Sequence, residues 1–181
     1  MAFGAFLLAL GGCGGGGGGG GSTPTQPQPP QSSLVFTPGA SSGSGIALAS
    51  GTGSGPTTLV LEVRANSVQN LYGVAFDLSF PASLLRLDAS TRGSFLGDES
   101  NTTLALVQPT PGNLVIGLSR LGTLPGVSGS GTLLTLRFTA LASGSGSFAF
   151  ARNSAVDAAG SPLSGLAWSG GSVQVTVVPA L

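Results

Sequence analysis

The chain has 181 residues, enough for one domain with appendages. Only 7% of the residues are charged, six Arg and six acidic with no Lys and no His, and the formal net charge is zero; 41% are hydrophobic and 32 are Gly. This composition excludes a basic nucleic-acid-binding face, a charged disordered tail, His-based triads, His-ligated metals and His pH switches, and, with a single Cys, a disulfide framework.

The first element in the chain is an apolar run, residues 1–12, MAFGAFLLALGG. It is shorter than the about 20 residues that cross a bilayer and suits the h-region of a secretory signal, here a signal peptide over 1–12. Cys13 follows directly. Leu10-Gly11-Gly12-Cys13 resembles the lipobox of bacterial lipoproteins, a family in which the chain is cut before the Cys and its sulfur carries a diacylglycerol. No Lys or Arg precedes the apolar run, so it departs from that pattern in its missing positive n-region. The resemblance implies lipidation at Cys13 and a secreted protein held by lipid at the outer surface of a bacterial envelope. Eight glycines, Gly14 to Gly21, and the segment STPTQPQPPQSS come next. They read as a linker over 13–33, a flexible coil followed by a stiffer Pro-rich spacer, with a typical reach of about 25 Å. The Gly run lacks the preceding strand, following helix and Lys-Ser/Thr pair of a phosphate loop.

The segment 34–178 is expected to be the folded domain, and at that length it buries enough surface for an independent core. Its hydrophobic period is 2. Leu59, Leu61 and Val63 share one face of a strand. The run Leu71 to Phe80 places Tyr72, Val74, Phe76, Leu78 and Phe80 on one side and Leu71, Gly73, Ala75, Asp77 and Ser79 on the other. The same alternation holds for Leu114, Ile116 and Leu118, for Leu134, Leu136 and Phe138, for Phe148 and Phe150, and for Val173, Val175 and Val177. One buried and one solvated face marks antiparallel sheet. Turn signals lie at Gly51–Gly55, Pro109–Asn113, Gly126–Gly131, Ser143–Gly146 and Gly160–Pro162, and Pro81 to Leu85 suits one short turn. The expectation is an all-β chain, an antiparallel β-sandwich of the jelly-roll kind.

The order of these features resembles the bacterial cohesin domain, the dockerin-binding receptor module of cellulosomes. The stretches that carry the resemblance are VQNLYGVAFDLSFPASLLRL, RGSFLG (Arg92 to Gly97), GNLVIGLSR (Gly112 to Arg120), GSGTLLTLRFTA (Gly129 to Ala140) and VDAAGSPLSGLAWSGGSVQV (Val156 to Val175). Together they span about Ile46 to Val177. The resemblance implies a jelly-roll sandwich of about nine strands, related in fold to cellulose-binding modules. It also implies a non-catalytic binding function, with a dockerin-like protein as partner and polysaccharide breakdown as the setting. By that resemblance the partner-binding face comprises Gly73, Ala75, Asp77, Ser79, Val115, Gly117 and Ser119. The family often carries larger polar residues where Gly73 and Ala75 stand, and a smaller, more apolar face favours nonpolar packing over hydrogen-bond specificity.

Other chemistry finds little support in the sequence. Asp98-Glu99 with Asp88 and Asn101 is too sparse for a Ca²⁺ loop, which takes six to eight oxygens, and no metal or cofactor is expected. The six carboxylates show no sign of a cleft pair for glycoside hydrolysis, and no His or Lys is present to activate a Ser nucleophile. The chain is therefore read as not an enzyme. Carbohydrate binding is the first alternative function. Its candidate stacking rings are Trp168 and Tyr72, although Tyr72 shares the parity of Val74 and Phe76 and Trp168 suits a cap on the core. A structural or adhesive surface lipoprotein is the second alternative.

Overall fold

The computed structural model describes residues 31–178, and within them every regular element is a strand. The expected signal peptide over 1–12, Cys13 and the linker up to residue 30 lie outside the described residues. Eleven strands follow in chain order: β1 (Ser33–Pro38), β2 (Gly45–Ser50), β3 (Thr58–Leu71), β4 (Gly73–Ser79), β5 (Leu85–Arg92), β6 (Thr102–Thr110), β7 (Asn113–Arg120), β8 (Val127–Ala140), β9 (Gly144–Val156), β10 (Ala167–Ser169) and β11 (Gly171–Thr176). They form two sheets, a six-stranded one in the order β1-β11-β9-β4-β7-β6 and a five-stranded one in the order β10-β2-β3-β8-β5. The fold is the expected jelly-roll sandwich. The count exceeds nine, and the three-residue β10 is too short for any period to show.

Between the sheets lie the apolar positions that the alternation marks. Leu59, Leu61 and Val63 of β3, Val74, Phe76 and Leu78 of β4, Leu114, Ile116 and Leu118 of β7, and Leu134, Leu136 and Phe138 of β8 are all buried. An aromatic string ties the layers together. Phe138 of the five-stranded sheet meets Phe80 at 5.2 Å and Phe148 at 5.5 Å between ring centroids, and Phe148 meets Phe36 at 5.8 Å. The two Phe148 pairs are edge-to-face and the Phe80–Phe138 pair is tilted, and such aromatic contacts add to the stabilisation from burial.

Three local expectations are corrected. The run Leu71 to Phe80 is not one strand. Leu71 ends β3 and pairs with Val127 in the five-stranded sheet, whereas Gly73 opens β4 in the six-stranded sheet. The chain changes sheet at Tyr72, whose amide donates to Val156 at 2.9 Å and whose carbonyl accepts from Arg120 at 3.0 Å. Second, Gly126–Gly131 is mostly strand, not turn. Ser67 and Asn70 stand in bulges of β3 at φ of 47° and 52°, which take their amides out of the ladder. The hydroxyls of Ser130 and Ser128 accept those amides at 2.8 and 2.9 Å. The Ser-Gly alternation that looks like a loop is thus the partner of an irregular strand. Ser143–Gly146 likewise runs into β9 from Gly144 onward. Third, one ladder is parallel: Ala167–Ser169 lies beside Gly45–Ala47. It needs a glycine, because a Cβ on Gly45 would come within 2.3 Å of the Ala167 carbonyl oxygen. The other turns form as expected. The amides of Leu84 and Leu85 both donate to the Pro81 carbonyl at 2.9 Å, and Pro111-Gly112 joins β6 to β7 with Gly112 at φ 83°, as a type II turn requires.

Candidate docking face

The outer surface of the six-stranded sheet is built from the residues of β4 and β7 that alternate away from the core. Gly73 faces Ser119, Ala75 faces Gly117 and Asp77 faces Val115, while Ser79 faces Asn113. The seven residues expected to form a partner-binding face therefore stand together on one surface. The neighbouring strands widen it with residues that the sequence reading did not include: Ser154 and Val156 on β9, and Thr103 and Ala105 on β6. Small side chains at Gly73, Ala75, Ala105, Gly117, Ser119 and Ser154 leave an open depression of about 350 Å³. That is room for a large apolar side chain brought by another molecule. A Cβ on Gly117 would meet nothing within 4 Å.

Charge is segregated between the two outer faces. On the five-stranded sheet, Arg64 pairs with Glu62 at 2.8 Å and Arg86 with Asp88 at 3.0 Å, Thr132 donates to Glu62 at 3.0 Å, and Arg137 is exposed beside them. The outer face of the six-stranded sheet carries, among the described residues, one ion pair, Asp77 with Arg152. Asp77 is only 7% exposed, because the Arg152 guanidinium covers it and Asn113 Nδ2 donates to it at 3.4 Å. The bond from Arg152 holds the Asp77 carboxyl below its usual pKa against the opposing effect of burial, with a smaller contribution from Asn113. Asp77, expected to meet a partner directly, is thus engaged within the face.

The remaining candidates are dispersed. Asp88 lies on the five-stranded sheet, where Thr139 donates to it. Asp98 accepts the amide and hydroxyl of Ser100, which hold its pKa down, and Asp157 accepts the amides of Ala159 and Ser161. Both carboxylates close local turns. Among the described residues no three acidic or Cys side chains converge on a point. Trp168 packs between the sheets, its ring centroid 5.6 Å from Phe76 and 5.4 Å from Phe150. Tyr72 is half-buried and donates its hydroxyl to the Gly122 carbonyl at 2.7 Å. Rings engaged in this way leave the proposed sugar-stacking pair without a flat exposed platform.

No family model matches the chain. No curated protein matches it by sequence. Solved structures do match by fold. The second type II cohesin module of the adaptor ScaA scaffoldin from Acetivibrio cellulolyticus superposes with a TM-score of 0.62 at 15% identity, over 78% of this chain and 94% of that one. The sixth cohesin of scaffoldin B from the same organism, solved with a Cel5 dockerin mutant, gives 0.59 at 14% identity over 72% and 97%. A non-cellulosomal cohesin from the archaeon Archaeoglobus fulgidus gives 0.52 at 15% identity over 76% and 87%.

Proposed function

We infer that this sandwich of the cohesin fold binds through its indented outer face, which carries a single ion pair. We propose that this chain is a non-catalytic docking module whose six-stranded sheet receives a dockerin-like protein partner. The observation that carries the reading is the face itself: small side chains around a depression whose lining holds no charged residue, with the Asp77–Arg152 pair at its margin. Depletion of charge at the centre and room for an inserted apolar side chain are what a protein interface needs. Cohesins of the same fold solved with dockerins support the choice of partner. Dispersed carboxylates and the lack of His and Lys support a non-catalytic role.

The anchoring reading joins this one. With Cys13 lipidated and 13–33 as tether, the domain is presented at a bacterial envelope. Ser33, where β1 begins, pairs with Thr176, and β11 meets β9 at its Gly144 end. The depression sits at the other end of β9, where Val156 faces Gly73. Twelve residues of strand separate the two ends, roughly 40 Å. The tether therefore joins the domain far from the depression, which favours presenting that face away from the anchor, and tethering raises the local concentration of any captured partner.

Biolayer interferometry with the immobilised chain tests the function. A panel of purified dockerin modules is titrated beside soluble xylan and cello-oligosaccharides. Saturable binding of at least one dockerin and no response to the glycans is the expected result. Glycan binding without dockerin binding overturns the reading in favour of a carbohydrate module, and binding of neither overturns it in favour of a structural envelope protein.

A further inference from the structure

Arg152 is the one exposed cation on the outer face of the six-stranded sheet among the described residues, and its placement is unusual. Strand β9 carries one extra residue against β4: Ala75 faces Ser154, but Asp77 faces Ala151. Arg152 stands in this bulge at φ 49°, in the left-handed region that side chains with a Cβ rarely adopt. The same backbone state at Ser67 and Asn70 is held by hydroxyls of the neighbouring strand. At Arg152 the side chain itself is held, through Nη2 on the buried Asp77 carboxylate. Bulges beside functional surfaces re-aim side chains in this way. A guanidinium has five N–H donors. One nitrogen is engaged by Asp77, and the side chain is still 73% exposed. The result is an oriented fork of donors at the margin of an uncharged depression, two residues along β4 from Ala75, about 7 Å away.

Resting on the docking reading, we infer that Arg152 selects the partner: it takes a carboxylate that lies within two residues of the bulky apolar side chain seated over Ala75 and Gly117. Charge complementarity supports the choice. Arg152 offers a planar fork that matches a carboxylate. At the opposite end of the depression the nearby loops carry Asp98, Glu99 and Asp157, which repel a carboxylate placed there, and the cation beside them, Arg120, is turned to the Leu96 carbonyl. The acidic residue of the partner therefore has one favourable side. Asp77 is the positioning residue, ionised and locked beneath the guanidinium.

A library of random twelve-residue peptides displayed on phage, selected on the purified chain and depleted on its Gly117→Arg variant, supplies face-directed probes. The expected clones pair Trp, Phe or Leu with Asp or Glu no more than two positions away. Affinity of the synthetic peptides falls about tenfold or more on Arg152→Gln. It falls by the same factor when the peptide carboxylate is replaced by the amide, and the two changes together cost no more than either alone. Arg152→Lys, which keeps the charge and loses the fork, gives an intermediate loss and serves if Arg152→Gln does not fold. Arg137→Gln, on the opposite sheet, leaves affinity unchanged. Face-directed peptides that are indifferent to both Arg152 variants overturn the inference and leave the docking reading standing. A library that yields no peptide able to distinguish the wild-type chain from Gly117→Arg overturns the docking reading and this inference with it.

Discussion

Gly117→Arg is expected to weaken partner binding by about 100-fold or more while leaving the fold intact. The two halves of this prediction rest on separate observations. A Cβ at Gly117 meets no atom within 4 Å, so the new side chain enters open space above the sheet. Gly weakens a strand interior, and a surface substitution of this kind changes stability by about 0.5 kcal/mol or less. The long arginine then fills the depression between Ala75, Ala105 and Ser154 and places a charge where the lining has none. Blocking the central pocket of an interface removes the anchor contact, about 2 kcal/mol or more, and each 1.4 kcal/mol is about tenfold in affinity. Titration with a bound dockerin, run beside a thermal melt, checks both halves. Gly73 is a poorer position for this test, because its Cβ would already lie 3.2 Å from the Ser119 hydroxyl.

Phe138→Ala is expected to have the largest effect on stability and none on the docking face. Phe138 is fully buried, and its ring contacts Phe80 and Phe148 from the opposite sheet. Truncation removes the aromatic link between the layers and leaves a cavity, at a cost of about 3–5 kcal/mol. Domains of this size are stable by about 5–15 kcal/mol, so a large fraction is lost. The melting temperature should fall by roughly 6–20 °C at 2–4 °C per kcal/mol. Trp168 is the only Trp in the chain and packs against Phe76 and Phe150, so its fluorescence reports the transition directly. Phe138→Leu, which restores most of the volume, recovers more than half of the loss. A shift of only a degree or two for Phe138→Ala would mean that the two sheets are not joined through this ring.

The strands were legible wherever large apolar residues alternated with polar ones, as in β4, β7 and β8. The same parity turned Gly73, Ala75 and Asp77 away from the side that buries Val74, Phe76 and Leu78, whereas the choice of that face for docking came from the resemblance to cohesins. What the sequence hid was irregularity. The β9 bulge flips parity between Phe150 and Ala155, and Ala155 is too small to announce that it has turned inward. Nothing in the alternation therefore marks Arg152, and its link to Asp77, 75 positions away, has no local signature. β6 was muted for a related reason: its outward Thr103 and Ala105 are small, so the contrast with Leu104 and Leu106 is weak. The Ser-Gly repeat at the start of β8 read as a turn because serine hydroxyls accepting stray strand amides look, in one dimension, like loop composition. Trp168 offered both a sugar-stacking and a core reading, and only the sheet pairing places its ring between the layers.

Amide hydrogen exchange of the chain with and without saturating dockerin is the most direct measurement of the central claim. Protection confined to Gly73–Ser79, Thr103–Ala105, Asn113–Ser119 and the Arg152 bulge is the predicted footprint. Protection centred instead on the charged outer surface of β3, β5 and β8, with the six-stranded face exchanging as before, would contradict it.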